Sequence, residues 1–536
     1  MQKMANILPL NEPFSNPRDN STEWEKFEKA AKNIPKNAEI PMIIDGKKIF
    51  SKTKINNINP STGEILGTCQ QCDESQAQLA IDAALKSKKS WSELSPFFRI
   101  QKFRDLEKIL LTWKHEMCAT AMVESGFNAY ETYVEWAELI DFIRFNNYFY
   151  CELLNEQIGG SDTETNSFQL RPLKGFTCAI SPFNFPQAIG YNLPLSMALT
   201  GNTVVWKPST DGILSAYILM LALEEAGFPN GVINMITGEG KHCLKPVLTH
   251  PELTALNFTG SFATARTFGN YLYANEYQRN NFPRFVAETG GKDFLIADFD
   301  IDVYDTAISI LQGSFGRSGQ KCSANSVVLV DEKIWPQLKE VLLTEIKKLK
   351  VTNSIHRDCD VGPVINEKQF DKITGFISRA KNDSQCKIIA GGEFSKEHGF
   401  YVHPTFIEIF EDKHELLRDE IFGPVTAIRI YQTIDQAVSI IEQHNYRLTG
   451  SVISRNEEFL NKHVPLLSQY AGNFYINRKT TGAIVHQQPF GGDGASGTNN
   501  KAGSKWYLLN FVSLGTVTRR HIRAKTSDLF SKINQL

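Results

Sequence analysis

Cys322, in the stretch SGQKCSAN (residues 318–325), is a cysteine among small and polar neighbours. A structural cysteine sits among apolar side chains, whereas a working thiolate needs access, nearby dipoles and freedom from a disulfide. Other residues of the chain match the needs of such a nucleophile. Asn184, in SPFNFP (181–186), carries an amide that can donate to an oxyanion from a turn stiffened by prolines. Glu288, in ETGG (288–291), is a general base if its surroundings raise its proton affinity. Lys207, in VVWKPS (204–209), follows a β-rich run, a place from which an ammonium reaches a ribose or a phosphate. Gly260 and Ser261, in NFTGS (257–261), precede a helical pattern whose first N–H groups suit a pyrophosphate, although G-x-G-x-x-G is absent. Each alone is commonplace, since most glutamates and lysines are surface residues.

The elements that must carry these residues follow from local pattern. Short β-rich runs, FTCAISP (176–182), NTVVWKPS (202–209), INMITGE (233–239) and ALNFTGS (255–261), alternate with helical patterns such as 212–226. Such alternation predicts βαβ units and a doubly wound parallel sheet, which binds ligands at its strand ends. A second series follows: DFLIADFD (293–300), a helix at 302–316, SVVLVDE (326–332) and a helix at 333–349. The expected fold class is α/β, with two doubly wound parallel-sheet domains meeting near residue 290 across a cleft. Upstream, helices are expected around 21–34, over 73–91 behind a capping Asp73, and over 137–154. The boundaries read as an arm over 1–37, a nucleotide-binding domain over 38–289, a catalytic domain over 290–475, and a returning segment over 476–536.

Length and composition bound the function classes. The chain has 536 residues, 42% hydrophobic and 22% charged, enough for two or three domains with full cores. A formal charge of −2 gives no electrostatic reason to expect nucleic acid or an anionic membrane. The small basic cluster Arg519, Arg520, Arg523 and Lys525 reads as a solvated or subunit-facing tail. Nine scattered cysteines suggest a reducing compartment and free thiols. Cys69 and Cys72 form a C-x-x-C, but no second pair or nearby histidine completes a zinc site, and no metal is expected. The first residues lack a signal peptide's apolar core and the arginines of a transit peptide. No run of about 18 uncharged apolar residues occurs, so no membrane span is expected. The expected location is cytoplasmic, with the mitochondrial matrix as the alternative.

Taken together, in order and spacing, these motifs resemble the aldehyde dehydrogenase superfamily from about residue 40 onward, with EIFGPV (420–425) and PFGGDGASG (489–497) completing the pattern. KGFTCAISPFNFPQAIGYNLPLSMALTGNTVVWKPS (174–209), ELIDFIRFN (138–146), GQKCSA and GNFYINRKTTGAIVHQQPFGGDGASGTNNKAG (472–503) are similar to one branch of it. That branch, the glutamate-γ-semialdehyde dehydrogenases, acts on the aldehyde in equilibrium with delta-1-pyrroline-5-carboxylate, in the second step of proline breakdown. The resemblance implies that Cys322 attacks the aldehyde, that Asn184 and the Cys322 N–H hold the oxyanion, and that Glu288 activates the water that hydrolyses the resulting thioester. It implies NAD held by Ser181, Phe183, Lys207 (at the adenosine ribose), Ser209, Gly260 and Ser261 (at the pyrophosphate), Glu420 (at the nicotinamide ribose) and Phe422. Thr210 stands where many members place a glutamate that repels a 2′-phosphate, so NADP is tolerated on this reading. Ala265 matches the branch's missing second glycine.

For the substrate, the resemblance implies an anchor loop at Gly482 and Ala483, with Ser323 and Phe490, around the α-carboxylate. It also implies at least a dimer, through a small element combining segments near 150–174 and 504–522. The chain departs from the family pattern at Arg317 and Ser318, at Arg447 and at Gly494. Arg317 is expected to bear on the thiolate fraction or the entry path. The competing readings are a dehydrogenase for another semialdehyde, such as succinate semialdehyde, and a catalytically silent relative kept as a binding protein.

Overall fold

The computed structural model describes residues 7–274, 279 and 281–522. Its frame is a pair of seven-stranded sheets. In the first, the order across the sheet is Arg284–Glu288, Leu253–Thr259, Phe176–Ile180, Val204–Lys207, Ile233–Met235, Met42–Ile44 and Lys47–Ile49. The first five run parallel and the last two close the edge antiparallel. In the second, the order is Cys386–Ala390, Thr405–Ile409, Val425–Tyr431, Asn325–Asp331, Asp293–Ala297, Thr449–Ile453 and Asn473–Ile476, parallel apart from the first edge strand. Central strands such as Phe176–Ile180 and Asp293–Ala297 are buried at every position, as parallel strands covered on both faces must be. The α/β fold with two parallel sheets is therefore as expected.

Because strands of one parallel sheet all point the same way, Ile180, Lys207, Thr259 and Glu288 end on one edge of the first sheet. The motifs SPFNFP, KPS, GS and ETGG follow those ends directly. The expected helices form at Ser21–Lys32, Glu74–Ser92, Ile213–Glu225, Val303–Phe315 and Trp335–Glu345. The helix expected at 137–154 begins earlier, at Ala129, and runs to Asn155. Its start is a capping box: the Asn128 side chain accepts from the Glu131 N–H while Glu131 accepts from the Asn128 N–H. The arm lies against this helix, with Asn11 Nδ2 donating to Asp141 at 2.7 Å and Glu12 paired to Arg144 at 2.7 Å.

Two buried carboxylates hold helices of the first domain by their N-termini. The positions preceding Ala188–Leu199 and Ile213–Glu225, Gln187 and Gly212, make no side-chain cap. Glu135 instead accepts from the Gln187 and Ala188 N–H groups at 2.8 and 3.2 Å, and Glu124 from Leu214 and Ser215 at 2.6 and 3.0 Å. These satisfy amides that a helix start leaves without partners.

The segment after residue 488 stitches the two sheets together. Thr498 N donates to Ala287 O and Thr289 N to Ser496 O, both at 2.9 Å, while Asp493–Gly494 pairs with Tyr446–Arg447. The strand Val512–Arg520 leaves the body and pairs antiparallel with Glu164–Pro172 along its whole length. Arg519 and Arg520 lie exposed on that ribbon, and Arg523 and Lys525 lie outside the described residues. Replacing Glu124 by alanine leaves the Leu214 and Ser215 amides buried and unpaired. The expected cost is about 1–3 kcal/mol, read as a lowered thermal midpoint, and an unchanged midpoint would show that water replaces the carboxylate.

Candidate active site

The loop carrying Cys322 has an unusual approach. After the helix Val303–Phe315 the chain passes through three successive left-handed residues, Arg317 (φ 53°), Ser318 (φ 54°) and Gly319 (φ 66°). Only the last is a residue at ease there, and the other two cost of order 1 kcal/mol or more each. Packing of the Arg317 side chain offsets the cost. Its guanidinium is 3% exposed, pairs with Glu135 Oε2 at 2.9 Å, and lies between the rings of Phe127 and Phe185 at 4.4 and 4.0 Å. It donates to the carbonyls of Asn184 at 2.6 Å and Glu131 at 2.9 Å, and its own N–H donates to Glu131 Oε1. Ser318 Oγ donates to Gly362 O at 2.8 Å. The entry-path part of the expectation for Arg317 is corrected, because the residue is sealed in the protein and donates to the main chain of Asn184.

Asn184 reaches the same loop from the other side. Its Nδ2 donates to the Gln320 carbonyl at 3.0 Å, which commits one amide hydrogen and leaves the second. Gln320 is fully buried, and its Oε1 accepts from Ile365 N at 3.0 Å. Cys322 alone of the nine cysteines is half-exposed; the others are buried, and all are free thiols. Burial pushes its thiol well above the ordinary value, and the carboxylates of Asp293, Glu288 and Glu420 push the same way.

Glu288 ends its strand half-buried, and its Oε2 has no protein partner. Burial drives its carboxyl well up, with Lys501 and the Gly492 N–H opposing. Burial thus displaces both the thiol and the carboxyl toward their protonated forms, and Lys501 opposes that displacement at the carboxyl. The glycines of ETGG allow the close approach: a Cβ on Gly291 would fall 2.4 Å from Cys322 O, and one on Gly290 2.0 Å from Glu420 Oε1. Gly291 N donates to that same Glu420 oxygen at 3.1 Å.

The other expected residues fall into two groups. Along the C-terminal edge of the first sheet, Ser181 Oγ accepts from Trp206 Nε1 at 3.0 Å, and Lys207 is depressed by burial. Ser209 accepts from Asp211 N at 3.3 Å, and Ser261 caps the helix Phe262–Tyr273 behind Gly260. Phe183 and Phe422 meet edge to face at 5.8 Å, joining SPFNFP to EIFGPV. On the opposite side, Thr480 Oγ1 donates to Ser323 O at 2.7 Å and Thr480 N to Asn325 Oδ1 at 3.1 Å. These bonds tie the loop bearing Gly482 and Ala483 to the residue after the cysteine. Phe490 lies half-buried and pairs with Ala502 through two backbone bonds of 2.9 and 2.8 Å.

The remaining departures lie on one short strand pair. Tyr446–Arg447 pairs antiparallel with Asp493–Gly494, Arg447 opposite Asp493 and Gly494 opposite Tyr446. Gly494 has φ 61°, and a Cβ there would lie 2.5 Å from Asn445 O, so a basic residue is excluded by the backbone. Arg447 lies over the Tyr470 ring at 5.1 Å. One further cluster, Asp383, Cys386 and His414, brings metal-type ligands together among the described residues. His414 Nδ1 accepts from Leu416 N at 3.0 Å and Nε2 faces Asp383 at 3.1 Å, so neither ring nitrogen is left for a cation.

With this geometry in place, the aldehyde dehydrogenase family model matches residues 48–517. The chain belongs to the aldehyde dehydrogenase family. It is 36% identical over 527 residues to the mitochondrial delta-1-pyrroline-5-carboxylate dehydrogenase of Emericella nidulans, covering 96% of this chain and 92% of that protein. It is 34% identical over 498 residues to the 1-pyrroline-5-carboxylate dehydrogenase of Staphylococcus aureus, covering 92% and 96%. Among solved structures, the delta-pyrroline-5-carboxylate dehydrogenase of Mycobacterium tuberculosis bound with NAD superposes with a TM-score of 0.92 at 32% identity, covering 98% of both chains. Residues that sequence reasoning did not single out also belong to this site: Gln320, Glu135, Asp293 and Lys501. Their partners lie far away in the chain, where no spacing rule reaches.

Two outcomes follow. An electrophile modifies Cys322 ahead of the eight buried thiols, and the rate without cofactor keeps rising with pH past the ordinary thiol value of 9.0. The sign follows from the raised thiol, which supplies little thiolate at neutral pH; a plateau below pH 8 would contradict it. Arg317→Met leaves Glu135 buried and unpaired, with an expected loss of about 3–5 kcal/mol in unfolding free energy, along with reduced turnover as Asn184 loosens.

Proposed function

We propose that this protein oxidises L-glutamate γ-semialdehyde to L-glutamate with NAD, as the second step of proline degradation. The observation that carries the substrate is the tie between Thr480 and Ser323–Asn325. It holds a glycine-containing loop beside the nucleophile, where backbone N–H groups at Gly482 and Ala483, with the Ser323 hydroxyl, meet an α-carboxylate. The relatives named above support the same substrate, and the silent alternative is disfavoured by Cys322, Glu288 and Asn184 occurring together.

Once the Cys322 thiol has released its proton to solvent, its sulfur bonds to the aldehyde carbon and the carbonyl oxygen becomes an oxyanion. The free hydrogen of the Asn184 amide and the Cys322 N–H hold that oxygen, one such donor being worth about 3–4 kcal/mol in the transition state. NAD, when bound, takes the hydride that the tetrahedral carbon expels. A thioester remains on Cys322. Glu288 takes a proton from water as its oxygen attacks the thioester, the C–S bond breaks, and the product carboxylate leaves.

The residues present fit such a cofactor. A Cβ on Gly260 would lie 2.6 Å from the Phe258 ring, so the backbone there is bare ahead of a twelve-residue helix whose N-terminus favours a pyrophosphate. Lys207 and Ser209 take the adenosine ribose, with Ser181 and Phe183 on the wall between. Glu420 takes the nicotinamide ribose and Phe422 flanks the ring. Thr210 brings no carboxylate against a 2′-phosphate, which leaves NADP tolerated. On this reading the boundary at 289/290 separates a cofactor domain (38–289) from a catalytic domain (290–475). The exposed Leu514 and Val517 of the ribbon serve a homo-oligomer of at least two chains. Nine free thiols suit a reducing compartment, the cytoplasm or the mitochondrial matrix. No described helix is long and apolar enough to cross a membrane.

Cys322→Ala abolishes turnover and keeps NAD binding. Glu288→Gln retains a first burst of NADH while later turnover falls by about 10²–10⁴-fold, and loss of the burst as well would remove the role given to Glu288. The test of the substrate is kcat/KM for glutamate γ-semialdehyde beside succinate semialdehyde and propanal, with NAD and then NADP. A marked preference for the first compound is expected. Equal rates would keep the family chemistry and discard the proline assignment.

A further inference from the structure

Lys501 lies behind Glu288 and is used by none of the steps above. It sits in the loop after PFGGDGASG, in a left-handed conformation (φ 57°) close to a second such residue, Asn499 (φ 53°). Non-glycine residues held there mark backbone that the surrounding structure constrains. The ammonium donates to Gly472 O at 2.7 Å, Gly491 O at 2.9 Å and Asn473 Oδ1 at 3.3 Å. All three acceptors are neutral, and among the described residues Lys501 forms no ion pair. Its donors are therefore satisfied while its charge is not. Gly491 is the spacer toward the base: a Cβ there would lie 2.9 Å from Glu288 Oε1, while its carbonyl accepts from the Lys501 ammonium at 2.9 Å.

We propose that Lys501 is a positioning residue for the base, a cation fixed by neutral acceptors across Gly491 whose charge keeps the Glu288 carboxylate ready to take a proton from water. This deepens the reading of Glu288 as the base of thioester hydrolysis and rests on it. The groups that act around the pair are few. The Cys322 thiol feels Glu288 from the nucleophile loop, Asp493 acts on Lys501 from the turn, and Tyr507 faces Glu288 from the helix Lys505–Leu509. Cys322 is neutral at rest and esterified during hydrolysis, and Tyr507 is held in its neutral form by burial. Lys501 is the cation that acts on Glu288, opposing its burial. Asp493 is exposed, so its opposing effect is weakened by solvent.

The sign is fixed by electrostatics: a nearby cation favours the ionised carboxylate, so removing it moves deprotonation of Glu288 to higher pH. The test is stopped-flow NADH formation across pH, separating the burst from the later hydrolytic phase, in the wild type, Lys501→Gln, Lys501→Arg and Glu288→Gln. Because the sulfur is esterified in the later phase, its own ionisation does not enter. Lys501→Gln can still donate to the carbonyls without charge, and the rising limb of its later phase should move up by about one pH unit, with the burst retained. Lys501→Arg should restore the wild-type limb. Lys501→Met serves as a second neutral variant if the glutamine variant does not fold. A Lys501→Gln profile that superposes on the wild type, or that falls equally at every pH, overturns the proposal while a normal Glu288→Gln defect leaves the base in place. A Glu288→Gln enzyme whose later phase matches the wild type removes the base itself, and with it the reading beneath.

Discussion

Arg317 carries a full charge into the interior, paired to Glu135 and stacked between two aromatic rings. Taking two ions out of water costs several kcal/mol each, and the attraction between them repays this only when further hydrogen bonds complete the geometry. Here they do. Glu135 also caps the helix that follows SPFNFP, and Arg317 also holds the carbonyl of Asn184. One ion pair therefore joins the long helix Ala129–Asn155, the turn that presents the amide and the loop that presents the thiol. Two left-handed residues are tolerated before Cys322 because this contact over-determines their conformation.

The same dryness that makes the ion pair demanding sets the chemistry. Cys322 and Glu288 are both displaced toward their protonated forms by burial. A neutral thiol is a poor nucleophile and a protonated carboxyl a poor base, so groups displaced this way depend on nearby dipoles and charges for any reactivity. At Glu288 the opposing charge is Lys501, held by the Gly491 carbonyl on the C-terminal loop that also joins the two sheets.

Close approach is the other condition. The glycines at 290 and 291 let Glu420 and the cysteine loop converge on one backbone stretch, and side chains at either place would collide with them. The two halves of the site, from different sheets, meet where the main chain is barest.

Much of this was legible in the linear sequence. Residue type and strand-end position are local properties, so the candidate residues Cys322, Asn184 and Glu288 and the alternation of strands and helices could be read from short stretches, and their joint order pointed to the family. The start of the long helix was missed by eight residues because the apolar pattern, rather than the Asn128–Glu131 cap, set the boundary. What only the tertiary structure decided was which charges lose their water and whom they meet. Arg317 reads in sequence as a neighbour of the cysteine, yet it is spent on Glu135 and Asn184; Arg447 and Gly494 read as separate departures, yet they lie on one two-stranded pair. Lys501 acquires meaning only when the chain returns to Glu288. Desolvation and Coulomb interactions depend on distance in space, and the sequence carries distance only along the chain.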